Sequence, residues 1–190
     1  MTERVFKSKM GKVSCVYKGR PENCGDRLEK EIAVYDFLDS LSIEYERVDH
    51  EPADTIEACL EVEKVIGVGI CKNLFVCNRT KTEYYVIMMS GHKAFKTADV
   101  SKKIGTSRLS FASAEDMEKF LDVTPGSVTV MALKNDTKGR VKLVIDRDII
   151  NGEYVRCHPC INTSTLKIKT EDLLRKFLIS VKHTPMIIDI

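Results

Sequence analysis

The sequence predicts an α+β fold built on a mixed, largely antiparallel sheet flanked by helices. Two observations carry that expectation. Helical and strand patterns interleave without the strict alternation of parallel α/β folds. Two apolar strand pairs also bracket short polar turns, 70–77 with 83–89 around 78–82, and 128–133 with 141–145 around 135–139. A length of 190 residues suits one domain with a substantial core.

Each element has a local cause. Gly11, Gly19, Pro21 and Gly25 break up the first 25 residues, leaving an arm with a short strand at 13–17. Asp26 followed by Glu29 resembles a capping box, and Leu28, Ile32, Tyr35 and Leu38 recur at helical spacing, so 27–41 is a helix. A strand is expected at 43–48. Thr55 can cap a helix over 56–66, which Gly67 and Gly69 end. After the first hairpin, a helix at 97–104 stops at Gly105, and 108–111 is a brief extended piece. Ser113 caps 114–121, and Pro125-Gly126 makes a turn into the second hairpin. Short strands follow at 154–157 and 164–168. Thr170 caps a last helix at 171–181, with Glu171 and Asp172 at the positive end of its dipole.

Composition narrows the class. Hydrophobic residues make up 43% and charged residues 31%, an ordinary soluble balance. No apolar run approaches the roughly 20 residues that span a bilayer. The polar, basic start lacks a secretory core, so a cytoplasmic protein without membrane contact is expected. Seven cysteines lie mostly in apolar runs, which suits a reducing compartment. Cys157-His158-Pro159-Cys160 is a lone CxxC with no second ligand pair, so neither metal nor cofactor is expected. Residues 1–20 hold six cations against Glu3, a local +5 in a chain of net charge +2. Such an arm is compatible with contacting RNA and equally with a solvated terminus. The overall charge gives no case for DNA. Dinucleotide, P-loop, nucleophile-elbow and zinc-protease signatures are missing.

Four segments stand out at element ends: 50–55, 72–75, 125–129 and 158–165. The sharpest is Gly69-Ile70-Cys71-Lys72-Asn73-Leu74-Phe75, where an ammonium enters an apolar strand. Such a lysine either snorkels to water or is aimed at a phosphate or polarised carbonyl. Asn73 either binds a ligand or satisfies strand-end backbone groups. His50 ahead of Glu51-Pro52 serves a loop or a substrate. Thr55 is read first as a helix cap, and His158 as a ligand contact or a buried structural residue.

In order and content these segments resemble the YbaK/ProX-type family of aminoacyl-tRNA editing domains, also found inserted in prolyl-tRNA synthetases. The resemblance rests on a His50-x-Pro52-x-x-Thr55 helix entry, the Lys72-Asn73-Leu74-Phe75 strand, Arg108-Leu109-Ser110-Phe111-Ala112, the Pro125-Gly126-Ser127-Val128-Thr129 loop, a strand ending in Asp146, and His158-Pro159 followed by Asn162-Thr163. It divides the chain into a basic arm, 1–26, and an editing domain, 27–190. It implies a sheet curled around a pocket and a hydrolase acting in trans on mischarged tRNA(Pro). Alanyl-tRNA(Pro) is the first choice and cysteinyl-tRNA(Pro) the second. The alternatives are a non-catalytic tRNA- or synthetase-binding module of the same fold and, more remotely, a thiol or metal sensor. Lys72 then matches the family's essential lysine, assigned to the 3′-terminal nucleotide. Gly126, Ser127 and Val128 match a loop whose amides stabilise an oxyanion. His50, Thr55, Asn73 and His158 are assigned to substrate, with His158 near the terminal adenosine. Ile70, Ile87 and Met89 are candidate pocket walls. The implied partners are tRNA and prolyl-tRNA synthetase. Many members carry Pro where this chain has Val130, which leaves the loop to be shaped by other means.

Overall fold

The structure, a computed structural model, describes residues 6–7, 12–53 and 56–190. Its strands are β1 (Phe6–Lys7), β2 (Lys12–Val13), β3 (Tyr17–Lys18), β4 (Tyr45–Asp49), β5 (Cys71–Cys77), β6 (Tyr84–Ser90), β7 (Ser110–Phe111), β8 (Val141–Asp146), β9 (Tyr154–Cys157), β10 (Ser164–Lys169) and β11 (Met186–Ile188). Its helices are α1 (Glu29–Ser40), α2 (Ile56–Ile66), α3 (Thr97–Ile104), α4 (Ala114–Leu121), α5 (Arg147–Asn151), α6 (Thr170–Asp172) and α7 (Leu178–Ser180). A π-helical stretch, Leu173–Phe177, joins α6 to α7, so the expected last helix is one helical run with a widened middle.

Two sheets carry the fold. One is antiparallel throughout, in the order β3-β4-β10-β9. The other is mixed, in the order β11-β8-β6-β5-β7. Between them lies the main core, with Phe75, Val86, Met88, Leu143 and Ile145 from the mixed sheet and Tyr45, Val155, Leu166 and Ile168 from the antiparallel one. Val34, Tyr35 and Leu38 of α1 and Phe177 close its ends. The back of the mixed sheet packs Val76, Tyr85, Ile87 and Val144 against Val100 of α3. The back of the antiparallel sheet packs Val48 against Val62 and Ile66 of α2.

The hairpin β5–β6 is as expected, with Cys71 opposite Ser90 and Cys77 opposite Tyr84. The second expected hairpin is not formed. Val130–Asn135 is a 3₁₀ helix, and β8 joins the sheet parallel to β6. Two local causes are visible. The Thr129 hydroxyl accepts from the Met131 amide at 3.3 Å and so caps the turn. Val130, Met131, Ala132 and Leu133 are also all buried, and a run without polar alternation does not by itself choose between strand and helix. Val130 therefore meets the core as the first residue of a helix rather than as a strand residue.

From Val13 onward the arm is laid on the body. Val13 is buried, Ser14 N donates to Asp49 O at 2.8 Å, and Tyr17 pairs with Arg47. Arg20 forms an ion pair with Asp36 of α1. Arg4 and Lys9, part of the basic charge expected of the arm, lie outside the described residues.

Candidate active site

β5 sets the geometry. Successive strand residues face opposite sides of a sheet. Cys71, Asn73 and Phe75 therefore face the main core, while Lys72, Leu74 and Val76 face the back. β6 covers one edge of β5 along its whole length. On the other edge β7 pairs only with Val76 and Cys77, and Ala112 N donates to Phe75 O at 3.0 Å. Among the described residues no strand pairs with the outer edge at Cys71–Leu74.

A cleft of about 260 Å³ opens along that edge, lined by Cys71, Asn73, Leu74, Phe75, Phe111, Met117, Gly126, Val128 and His158. It brings together three expected segments: the Asn73 strand, the Gly126 turn and His158. A larger surface hollow of about 630 Å³ lies on the antiparallel sheet among Lys18, Glu46, Tyr154 and Lys167. It contains none of the expected site residues, and Lys167 there is already paired with Glu46 at 3.0 Å. Depth alone therefore does not mark the site.

The turn presents a glycine for a physical reason. Gly126 has φ of +85°, and a Cβ there would sit 3.5 Å from Nδ2 of Asn162. Ser127 does not share the expected role of its neighbours. It is only 4% exposed, and its amide is spent on Thr124 O at 2.9 Å. The Gly126 and Val128 amides have no partner among the described residues. On the facing strand, Oδ1 of Asn73 is buried and unpartnered, while its Nδ2 contacts Cys71 Sγ at 3.9 Å. Buried polar groups are nearly always paired, and the unpartnered Asn73 Oδ1 lies on this cleft together with the exposed Gly126 turn.

The two histidines divide their duties. Nδ1 of His158 lies 2.8 Å from Ser164 O, and a carbonyl only accepts, so Nδ1 carries the proton and Nε2 is an open acceptor. Burial, first of all, pushes the His158 imidazole down to about 4, with His50 and the Arg156 guanidinium adding to the effect. His50 is also held below its ordinary range, chiefly by burial. Both its nitrogens are used: Nδ1 donates to Glu51 O at 2.8 Å, and Nε2 accepts from the Thr165 hydroxyl at 2.9 Å. His50 does not line the cleft. It buttresses His158, with the ring centroids 6.3 Å apart.

Lys72 is placed on the other face of β5 from Asn73 and His158. Its Nζ donates to Lys93 O at 3.0 Å, and Lys93 in turn pairs with Asp146 at 2.8 Å and Asp148 at 2.7 Å. Lys72 and Met89 are cross-strand partners on that back face, and Ile87 shares it. Ile87 and Met89 are thus not pocket walls, because strand alternation turns them away. The walls on the core side are Phe75, Met117 and Val128, Leu74 borders the cleft from the back face, and Ile70 is not among the lining residues. Thr55 lies outside the described residues.

Cys157 and Cys160 are buried free thiols, and burial pushes Cys160 up to about 12 and Cys157 higher still. Among the described residues no three His, Cys, Asp or Glu side chains gather as a metal site, and no helix is long and apolar enough to cross a membrane. Sequence reasoning missed Phe111 and Met117 as lining residues. For Phe111 the signal was its place in the Arg108-Leu109-Ser110-Phe111-Ala112 segment, one of the motifs that carry the resemblance.

Fold and cleft define a small α+β pocket protein whose free polar groups converge on an open strand edge. The chain belongs to the aminoacyl-tRNA editing domain family, whose model matches residues 50–176. It is 31% identical over 141 residues to the prolyl-tRNA editing protein ProX of Acetoanaerobium sticklandii, covering 74% of this chain and 86% of the relative. It is 32% identical over 164 residues to prolyl-tRNA synthetase associated domain-containing protein 1 of Danio rerio, covering 85% and 86%. The fold is shared with the hypothetical protein APE2540, at a TM-score of 0.64 and 16% identity over 84% of this chain and 97% of the other. A structure described as a "putative trans-editing enzyme for prolyl tRNA synthetase" matches at 0.62 and 13% identity over 85% and 96%.

Proposed function

We propose that this protein is a deacylase that hydrolyses mischarged tRNA(Pro) in trans, with alanyl-tRNA(Pro) as its main substrate and cysteinyl-tRNA(Pro) as the second. The observation that carries this reading is the set of unpaired polar groups in one small cleft of an editing-family chain: the Gly126 and Val128 amides, Asn73 Oδ1 and His158 Nε2.

The chemistry assigns them in turn. Water attacks the ester carbonyl carbon, a new C–O bond forms, and the carbonyl π pair moves onto oxygen. Two preorganised amides at that oxygen stabilise the developing charge. Gly126 and Val128 supply them, with Ser127 N–H serving the turn instead. Collapse breaks the bond to the ribose oxygen, which takes up the proton given up by the attacking water and leaves as a free hydroxyl. Asn73 Oδ1 accepts from the substrate's ammonium group or from the attacking water. His158, held near 4, is a poor proton acceptor at neutral pH, and good general bases sit closer to the working pH. Its Nε2 is better suited to accept a hydrogen bond from the free ribose hydroxyl and so orient the terminal nucleotide. Lys72 stands on the outer side of the same strand as Leu74, where the terminal phosphate would pass.

Size favours a small aminoacyl group, since Met117, Val128 and Phe75 crowd a 260 Å³ space. Methylene-scale discrimination yields only about 1–3 kcal/mol. Prolyl-tRNA synthetase, as the source of the mischarged product, is the partner this reading implies. The test is a panel of alanyl-, cysteinyl- and prolyl-tRNA(Pro) incubated with purified protein, following loss of the ester. Fastest turnover of the alanyl ester supports the proposal. Binding without turnover of any ester replaces it with a non-catalytic tRNA-binding role.

A further inference from the structure

We infer that Phe111 is a stacking platform for the 3′-terminal base of the tRNA; the inference rests on the reading of the cleft given above. Phe111 is 62% exposed, although it is a large apolar side chain in a paired strand. It is held in register, opposite Val76, and its neighbour Ala112 is tied to Phe75 O. One side of its ring is backed by Phe95, with centroids 6.0 Å apart and planes at 59°. That spacing and tilt lie in the favoured range for aromatic pairs. A ring fixed from behind and open in front is a surface prepared for a flat partner.

Its position selects that partner. Phe111 lines the cleft at the Val76 end of β5, and His158 lines the same cleft. At about 260 Å³ the cleft is smaller than the roughly 300–1,000 Å³ pockets that engulf a drug-sized ligand. An aminoacyl nucleoside therefore cannot enter whole. With the ester at the Gly126 turn and the ribose at His158, the base is left at the rim. A single-stranded end offers its base faces for stacking, and aromatic side chains are the usual acceptors. Stacking on Phe111 also places the backbone on the side of β5 that carries Lys72.

The probe is uncharged tRNA(Pro) with 2-aminopurine at its 3′-terminal position, which reads stacking as fluorescence quenching without any chemistry. Wild-type protein is expected to quench the probe on binding. Phe111→Ala is expected to abolish the quench and weaken binding about five- to a hundredfold, the range for loss of one base-stacking aromatic. Phe111→Trp is expected to keep both. Unchanged melting of Phe111→Ala, expected for so exposed a ring, separates the effect from misfolding. Equal quenching and affinity in wild type and Phe111→Ala overturn the inference, as does a Phe111→Trp variant as weak as Phe111→Ala. Phe111-dependent quenching with no turnover of any aminoacyl-tRNA upholds the platform and sinks the deacylase reading. Turnover that Phe111→Ala leaves intact does the reverse.

Discussion

The rings of His50 and His158 stand edge to face, 6.3 Å apart, and only His158 has a nitrogen left for a ligand. Replacing them should therefore produce opposite kinds of damage. His158→Ala should lower the deacylation rate tenfold or more through misplaced ribose, since about 1 Å of misplacement can cost on the order of a hundredfold. His50→Ala removes two hydrogen bonds and should cost about 1–3 kcal/mol of stability. Thermal melts and single-turnover rates on the same samples check this. Equal melting losses, or equal rate losses in folded protein, would contradict the division.

The depressed His158 pKa makes a signed prediction about pH. Between about 4, its folded value, and 6.5, its ordinary one, the unfolded chain binds a proton that the native protein does not. Stability should therefore fall as pH drops from 6.5 towards 4, by an amount on the order of 1–3 kcal/mol from this group. Chemical denaturation from pH 7 to pH 4, with His158→Asn as reference, measures it. Arg156 is a buried cation that donates to Cys59 O at 3.2 Å, with no carboxylate paired to it among the described residues. Arg156→Met should raise the His158 pKa in an NMR titration and make the stability loss smaller, ending at a higher pH.

Gly126→Ala should uncouple activity from folding. A non-glycine residue at φ of +85° costs about 1–2 kcal/mol, while the added methyl would meet Asn162 only at ordinary contact distance. The protein should still fold, with a modestly lower melting temperature. The hydrolysis rate should drop at least tenfold, as removal of an oxyanion donor does or exceeds. A rate loss no larger than the fraction unfolded would take the turn out of the chemistry.

Lys72→Ala should leave melting close to wild type, because the ammonium's hydrogen bond among the described residues is a single one, to Lys93 O. Deacylation should fall on the order of a hundredfold if the lysine keeps the nucleotide in register. Lys72→Arg should rescue in part, since a planar fork replaces a compact charge. A Lys72→Ala enzyme working at the wild-type rate would confine Lys72 to tying β5 to the Lys93 loop.

Much of this fold is legible because its signals are local. The helices at 56–66, 97–104 and 114–121 and the strand at 154–157 lie where periodicity and punctuation put them. Ser113 caps α4 by accepting from Asp116 N at 3.2 Å, and Gly105 closes α3 in the left-handed region. Partner choice is not local. Nothing in the apolar run of β8 says that it will lie parallel to β6, or that Met186–Ile188 will extend the sheet beyond it. The site divides the same way. Asn73, Gly126 and His158 were found through their motifs, while the tautomer of His158 depends on a carbonyl six residues on, in another strand. Lys72 and Asn73 are consecutive in a strand, so alternation alone puts them on opposite sides.

The bare flank of β5 has a consequence for how the protein survives in a crowded solution. An unpaired strand border is a template on which another chain can add itself, and repeated addition is how sheets grow into fibrils. Here the template is short and sits in a slot, with Met117 of α4 and the Gly126 turn across from it. A slim, single-file polymer end can slide in, whereas a second sheet meets the opposite wall. Substitutions that loosen α4 or that turn should therefore show first as reduced solubility, before any loss of secondary structure.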